Sequence, residues 1–102
     1  VLFDVLAEPT RRRILDLLLE RPHPVGELTA RLGLTQPGTS KHLRVLREAG
    51  LVQVRIDAQR RWYELCPAPL AEIDTWLTPY RRLWATSLDA LELHLETMEN
   101  DQ

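Results

Sequence analysis

Apolar residues recur along the chain first at helical spacing, then in alternation, then at helical spacing again, with turn residues between the blocks. Val1, Leu2, Val5 and Leu6 form one stripe, so an amphipathic helix is already under way at Val1, as it would be if a short piece preceded it. Pro9 and Thr10 open a second helix, with Ile14, Leu15, Leu17, Leu18 and Leu19 at helical spacing and Pro22 and Pro24 closing it. After this Pro-His-Pro turn, Val25, Leu28 and Leu32 make a short stripe that ends at Gly33, a residue suited to the left-handed position after a helix. Thr35 is then placed as an N-cap, because Pro37 is tolerated in the first turn, where its missing N–H would be unpaired anyway. The helix it opens runs from Gln36 to about Ala49, with Leu43, Leu46 and Ala49 inward, until Gly50 stops it. Only Gly33, Leu34 and Thr35 separate the Val25–Leu32 stripe from the helix opened at Gln36, which fits a helix-turn-helix.

Val52, Val54 and Ile56 alternate with Gln53 and Arg55 as in a half-buried strand, and residues 61–65 are rich in β-formers. Asp57-Ala58-Gln59-Arg60 reads as the hairpin tip between them, although it lacks the favoured Asn-Gly or Asp-Gly pair. In the tail, Leu70, Ile73 and Leu77 predict one helix, and Thr78-Pro79 reads as the N-cap and first residue of another. That last helix carries Tyr80, Trp84, Leu88, Leu91, Leu95 and Met98 on one stripe and spans about 30 Å. The fold class is mainly α with a small β-hairpin, a winged helix-turn-helix with additional terminal helices. One domain is expected over residues 1–102, comprising a head with its wing (1–66) and C-terminal helices (67–102).

Charge sharpens this picture. The formal net charge is −2, yet residues 1–66 hold eleven Lys/Arg against eight Asp/Glu, while residues 67–102 hold two against seven. Between Arg31 and Arg61 there are seven cations against two anions, the concentration of positive charge that a phosphate backbone selects for. No apolar run approaches the length of a membrane span, no signal-like segment opens the chain, and one cysteine cannot build a disulfide framework. A cytoplasmic protein without membrane association is expected. Cys66 and His23, His42 and His94 are scattered, so neither a metal site nor a cofactor is expected. No nucleophile motif or phosphate loop points to an enzyme.

With Leu43 and Leu46 inward, the 36–49 helix turns Ser40, Lys41, Arg44 and Arg47 outward, with Gln36, Gly38 and Thr39 near its front. These types suit base edges: Gln pairs with adenine, Lys or Arg with guanine, and Ser or Thr with several groups. Gly38 would let the backbone approach DNA, and His42 lies beside the apolar seam, where packing or a phosphate contact fits better than base readout. Arg60 at the hairpin tip is placed to reach the flanking minor groove or its phosphates. Double-stranded DNA is therefore the expected partner. Two other readings stand beside it. One is a winged-helix protein-interaction module that does not bind DNA and uses Trp76, Tyr80 and Trp84. The other is a redox input through Cys66.

Leu6-Ala7-Glu8-Pro9-Thr10-Arg11-Arg12-Arg13-Ile14-Leu15, then Val25-Gly26-Glu27-Leu28, then the run from Gln36-Pro37-Gly38-Thr39-Ser40-Lys41-His42-Leu43 to Leu51-Val52 resemble the ArsR-type bacterial repressors over nearly the whole chain. The resemblance implies a homodimer on a palindromic operator, with the terminal helices as the dimer interface. On this chain those helices offer Val1, Leu2, Val5, Trp76, Tyr80, Trp84, Leu88, Leu91 and Leu95. Metal-sensing members carry Cys-x-Cys in the helix here formed by residues 25–32, or Asp and His ligands on the terminal helix. This sequence has Thr29 and Ala30 there, and residues 69–84 look like the tail of the non-metal branch. Gly38 and Thr39 replace an Ala-Val pair common in the family, and no residue points to an inducer.

Overall fold

The computed structural model describes residues 2–100, the side chains at 90, 93 and 97–100 excepted. Val1, expected in a dimer interface, lies outside the described residues.

The head begins with α1 (Leu2–Ala7) and α2 (Pro9–Glu20), joined at Glu8, whose carboxylate accepts from the Thr10 N–H at 3.3 Å. The arginine run closes this corner. Arg11 donates to the carbonyl of Val5, and Arg12 to those of Leu6 and Ala7, so two of the three arginines satisfy the open end of α1.

Next comes α3 (Val25–Leu32), which ends in a Schellman reversal: Gly33 at φ 67° donates to Ala30 O, and Leu34 donates to Thr29 O. The next helix, α4 (Gln36–Glu48), starts where Thr35 Oγ1 accepts from the Gly38 N–H at 3.2 Å. It ends in the same device, with Gly50 at φ 78° donating to Arg47 O and Leu51 to Leu46 O. Both glycines are required by the left-handed backbone there. The second reversal turns the chain straight into the core at Leu51, which is fully buried.

The wing consists of β1 (Val52–Asp57) and β2 (Arg60–Leu65), antiparallel, in register from Val52↔Leu65 to Asp57↔Arg60. The tip is tighter than the four residues the sequence suggested. Asp57 and Arg60 form the closing pair, and only Ala58 and Gln59 turn, both at positive φ (50° and 70°), as a type I′ turn demands. One residue outside the named strands joins this sheet: His23, in the α2–α3 loop, pairs with Tyr63 on β2.

Ile14, Leu28, Leu43, Leu46 and Leu51, one or more from each of α2, α3, α4 and the root of the wing, form the inaccessible centre of the head. Val5 of α1 belongs to the same core at 7% exposure. Its expected place in an intermolecular surface is corrected accordingly: the large apolar side chain that α1 exposes is Phe3.

The second compact unit starts at Ala71, and α5 (Leu70–Asn100) is one helix, not the two expected from Thr78-Pro79. Proline removes one N–H and crowds the carbonyl four residues back, here that of Thr75, so the helix around it gains from side chains that brace neighbouring carbonyls. Thr78 does not cap; its hydroxyl turns back to the carbonyl of Asp74 at 3.1 Å. Arg81 donates to the same carbonyl at 2.8 Å and to the Asp74 carboxylate. The turn around Pro79 is thus held from both sides.

Truncating Leu46, at the centre of the core, should leave a cavity that α4 cannot close without losing its rotation. Leu46→Ala is expected to lower unfolding free energy by about 2–5 kcal/mol, read as a shift of the denaturation midpoint at unchanged slope.

Candidate nucleic-acid interface

At 100° per residue, the exposed residues of α4 (Gln36, Pro37, Ser40, Lys41, Arg44, Arg47 and Glu48) fall within an arc of about 140°, opposite buried Thr39, Leu43 and Leu46. Five of the expected contact residues therefore share one face. Thr39 does not. It is wholly buried: its hydroxyl donates to Thr35 O and accepts from Thr29 Oγ1, both at 3.0 Å. This corrects its placement at the front of the reading face, because it ties α4 to α3 instead.

Gly38 lies at the edge of that face, half-buried, with its N–H committed to Thr35. A Cβ there would stand 3.1 Å from Thr35 Oγ1, so the glycine leaves room for the cap. His42 turns inward. Its Nδ1 accepts from Arg11 Nε at 3.3 Å, linking α4 to α2.

Among the described residues no hydrogen bond or ion pair takes up the side chains of Lys41, Arg44 or Arg47. Of the arginines outside α4, Arg21 is engaged with Glu27 and Arg55 with both Glu64 and Asp57, while no such bond takes up Arg13, Arg31 or Arg61 among the described residues. Three cations without an internal partner thus stand together on the outer face of α4. On the wing, Arg60 and Trp62 follow the same parity, and the Arg60 guanidinium lies 5.3 Å from the Trp62 ring centroid. The arginine over its ring gives Trp62 a role in orienting Arg60. The same face carries a cross-strand network in which Arg55 and Gln53 both donate to Glu64. The hydrogen bond from Arg55, then that from Gln53, holds the Glu64 carboxyl below its ordinary range, while Arg55 is raised in return. Among the described residues, no three His, Cys, Asp or Glu side chains come together as a metal ion would need, and no helix is long and apolar enough to cross a membrane.

A helix-turn-helix whose second helix exposes Gln, Ser, Lys and Arg, followed by a basic-tipped wing, defines a DNA-binding transcriptional regulator. Residues 8–54 match the arsR family of bacterial regulatory proteins. The chain is 41% identical over 86 residues to the HTH-type transcriptional regulator Rv2034 of Mycobacterium tuberculosis, a match covering 84% of this chain and 78% of that protein. It spans 63% of the length of two further relatives from that species. Among solved structures it is similar to the transcriptional repressor BigR from Xylella fastidiosa, with a TM-score of 0.65, 34% identity and 78% of each chain covered. An ArsR-like transcriptional regulator from Rhodococcus sp. RHA1 superposes with a TM-score of 0.70 at 27% identity, covering 88% of this chain and 85% of that one. The chain belongs to the ArsR family. The alternative of a protein-interaction module without DNA binding finds no support among these relatives.

Because the folded Glu64 carboxyl titrates below its ordinary 4.5, its pairing contributes stability that is complete above that pH and is lost as pH falls through the lowered folded value. Denaturation midpoints of the native chain should therefore fall more steeply below pH 4.5 than those of Glu64→Gln. The difference should shrink in about 1 M salt, since the pair is near the surface.

Proposed function

We propose that the chain is a homodimeric, metal-independent repressor that reads a palindromic operator. Gln36, Ser40, Lys41, Arg44 and Arg47 enter the major groove, and Arg60 reaches the flanking phosphates or minor groove. The observation that carries this reading is the outer arc of α4, where cations without internal partners stand beside Gln36 and Ser40 on a helix whose other side is locked into the core. Bases are read by such side chains, while the wing arginine adds affinity that is not tied to sequence. As a binding protein, the chain works by occupying DNA and not by chemistry on a substrate.

The dimer rests on α5. Trp76, Tyr80, Leu83, Trp84, Leu88, Leu91 and Leu95 are each at least 45% exposed and lie within an arc of about 140°. Trp76 and Tyr80 stack at a tilt, with centroids 5.1 Å apart. A contiguous apolar stripe of that length fits an interface better than solvent. Phe3 and half-buried Leu2 add the contribution of α1.

On a promoter fragment selected from genomic DNA, Lys41→Ala and Arg44→Ala should each weaken binding by about 1–3 kcal/mol in gel shifts at fixed salt. Unchanged affinity in both variants would remove α4 as the reading element. Leu88→Glu should convert the dimer to a monomer by light scattering. Footprints of the native protein should show two related half-sites about one helical turn apart, and a single protected half-site would contradict the symmetric dimer.

A further inference from the structure

We propose that His23 is a positioning residue for the wing: its backbone holds β2, its imidazole holds α3, and the two together fix where Arg60 stands relative to α4. The proposal rests on the reading of Arg60 as a DNA contact.

Tyr63 and Leu65 pack half-buried against the core, but the outer half of the wing has little else to steady it. Leu51 and Val52 are buried at its root, but Arg55, Ile56 and every residue from Asp57 to Arg61 are exposed, and Ile56 is 70% exposed. A two-stranded hairpin is marginal by itself, and a third strand is what makes such a sheet hold. His23 supplies a one-residue version of that strand. Its N–H donates to Tyr63 O at 3.1 Å, and the Tyr63 N–H donates to His23 O at 2.8 Å. Only three residues of β2, Trp62, Arg61 and Arg60, lie beyond this pair. Pro22 and Pro24 flank His23, so it is the one residue of the three with an N–H to give, and its neighbours restrict the loop.

The side chain closes the link. The ring is fully buried, and Nδ1 lies 2.9 Å from Glu27 Oε2 on α3, which also pairs with Arg21 at 3.1 Å. The carboxylate, held below its ordinary range first by His23 and then by Arg21, is an acceptor, so the ring proton sits on Nδ1. Nε2 is buried and finds no partner among the described residues. An apolar side chain of similar size would fill this space without burying an unsatisfied nitrogen. What an apolar residue could not supply is the Nδ1–H bond to α3, the helix that packs against α4.

The test is a set of double-mutant cycles on operator affinity, with Arg60→Ala and Lys41→Ala each made in the native chain, in His23→Leu and in His23→Asn. Arg60→Ala should weaken binding severalfold in the native chain but hardly at all in His23→Leu, a coupling of about threefold or more. The cost of Lys41→Ala should be the same in every background. His23→Asn, whose amide N–H stands near the level of Nδ1, should restore the Arg60 effect. Glu27→Ala, made at a half-exposed position, removes the acceptor while keeping the imidazole itself and should reproduce the loss if His23→Leu folds poorly. An equal cost of Arg60→Ala in all backgrounds overturns the positioning role while leaving the wing contact intact. No cost in the native chain overturns the wing contact itself, and this proposal with it.

Discussion

The chemistry of this protein depends on the one-sided burial of α4. Leu43 and Leu46 go into the core with roughly 1.5–3 kcal/mol of apolar transfer each, which fixes the depth of the helix against α2 and α3. Apolar contacts alone would tolerate some rotation, since the hydrophobic effect has no direction. Thr39 removes that freedom. Its hydroxyl, buried between Thr29 Oγ1 and Thr35 O, has satisfied geometry at one helix phase only. Gln36, Ser40, Lys41, Arg44 and Arg47 point outward as the remainder of that choice.

The elements that were legible in the sequence are those punctuated locally. Gly33, Thr35-Gln36-Pro37 and Gly50 mark three helix ends by backbone chemistry, and the observed caps use these residues. The pairing parity of the wing followed from the alternation of Val52, Val54 and Tyr63 with Gln53, Arg55 and Trp62. Three features had no such signal. Thr39 is polar by type, and only the facing Thr29 makes it an interior residue. Pro79 reads as a helix start because its own ring forbids an interior bond, while the bracing comes from Thr78 and Arg81, on either side of it, converging on the carbonyl of Asp74. His23 bridges to a residue forty positions away through backbone atoms, which leave no trace in residue type.

A net charge of −2 is compatible with nucleic-acid binding because the cations are unevenly placed along the chain and several of those outside α4 are paired. Arg11 and Arg12 face the carbonyl end of α1, Arg21 faces Glu27, Arg55 faces Glu64 and Asp57, and Arg81 faces Asp74. Exposed pairs of this kind add little stability, but they cancel positive charge on the frame. The face of α4 carries no such pair among the described residues, and its one anion, Glu48, leaves Lys41, Arg44 and Arg47 in excess. The wing shows the two treatments side by side: Arg55 is neutralised by its neighbours on the strand, whereas Arg60 lies over an uncharged ring and keeps its full charge at the tip.

The stripe on α5 sets a separate condition. Among the described residues of its own unit α5 has no second element to bury Trp84, Leu88 and Leu91, so the stripe asks for a surface of matching length. A second copy offers one by symmetry, since a two-fold axis brings identical patches together. In the proposed dimer this also governs DNA affinity. Once one α4 is seated, the second half-site is met at the high effective concentration that the dimer imposes, so the two contacts multiply. That gain vanishes when the spacing between the two heads no longer matches the operator. A signal need not touch Lys41 or Arg44 to release the DNA; a change in how two α5 helices pack would be enough.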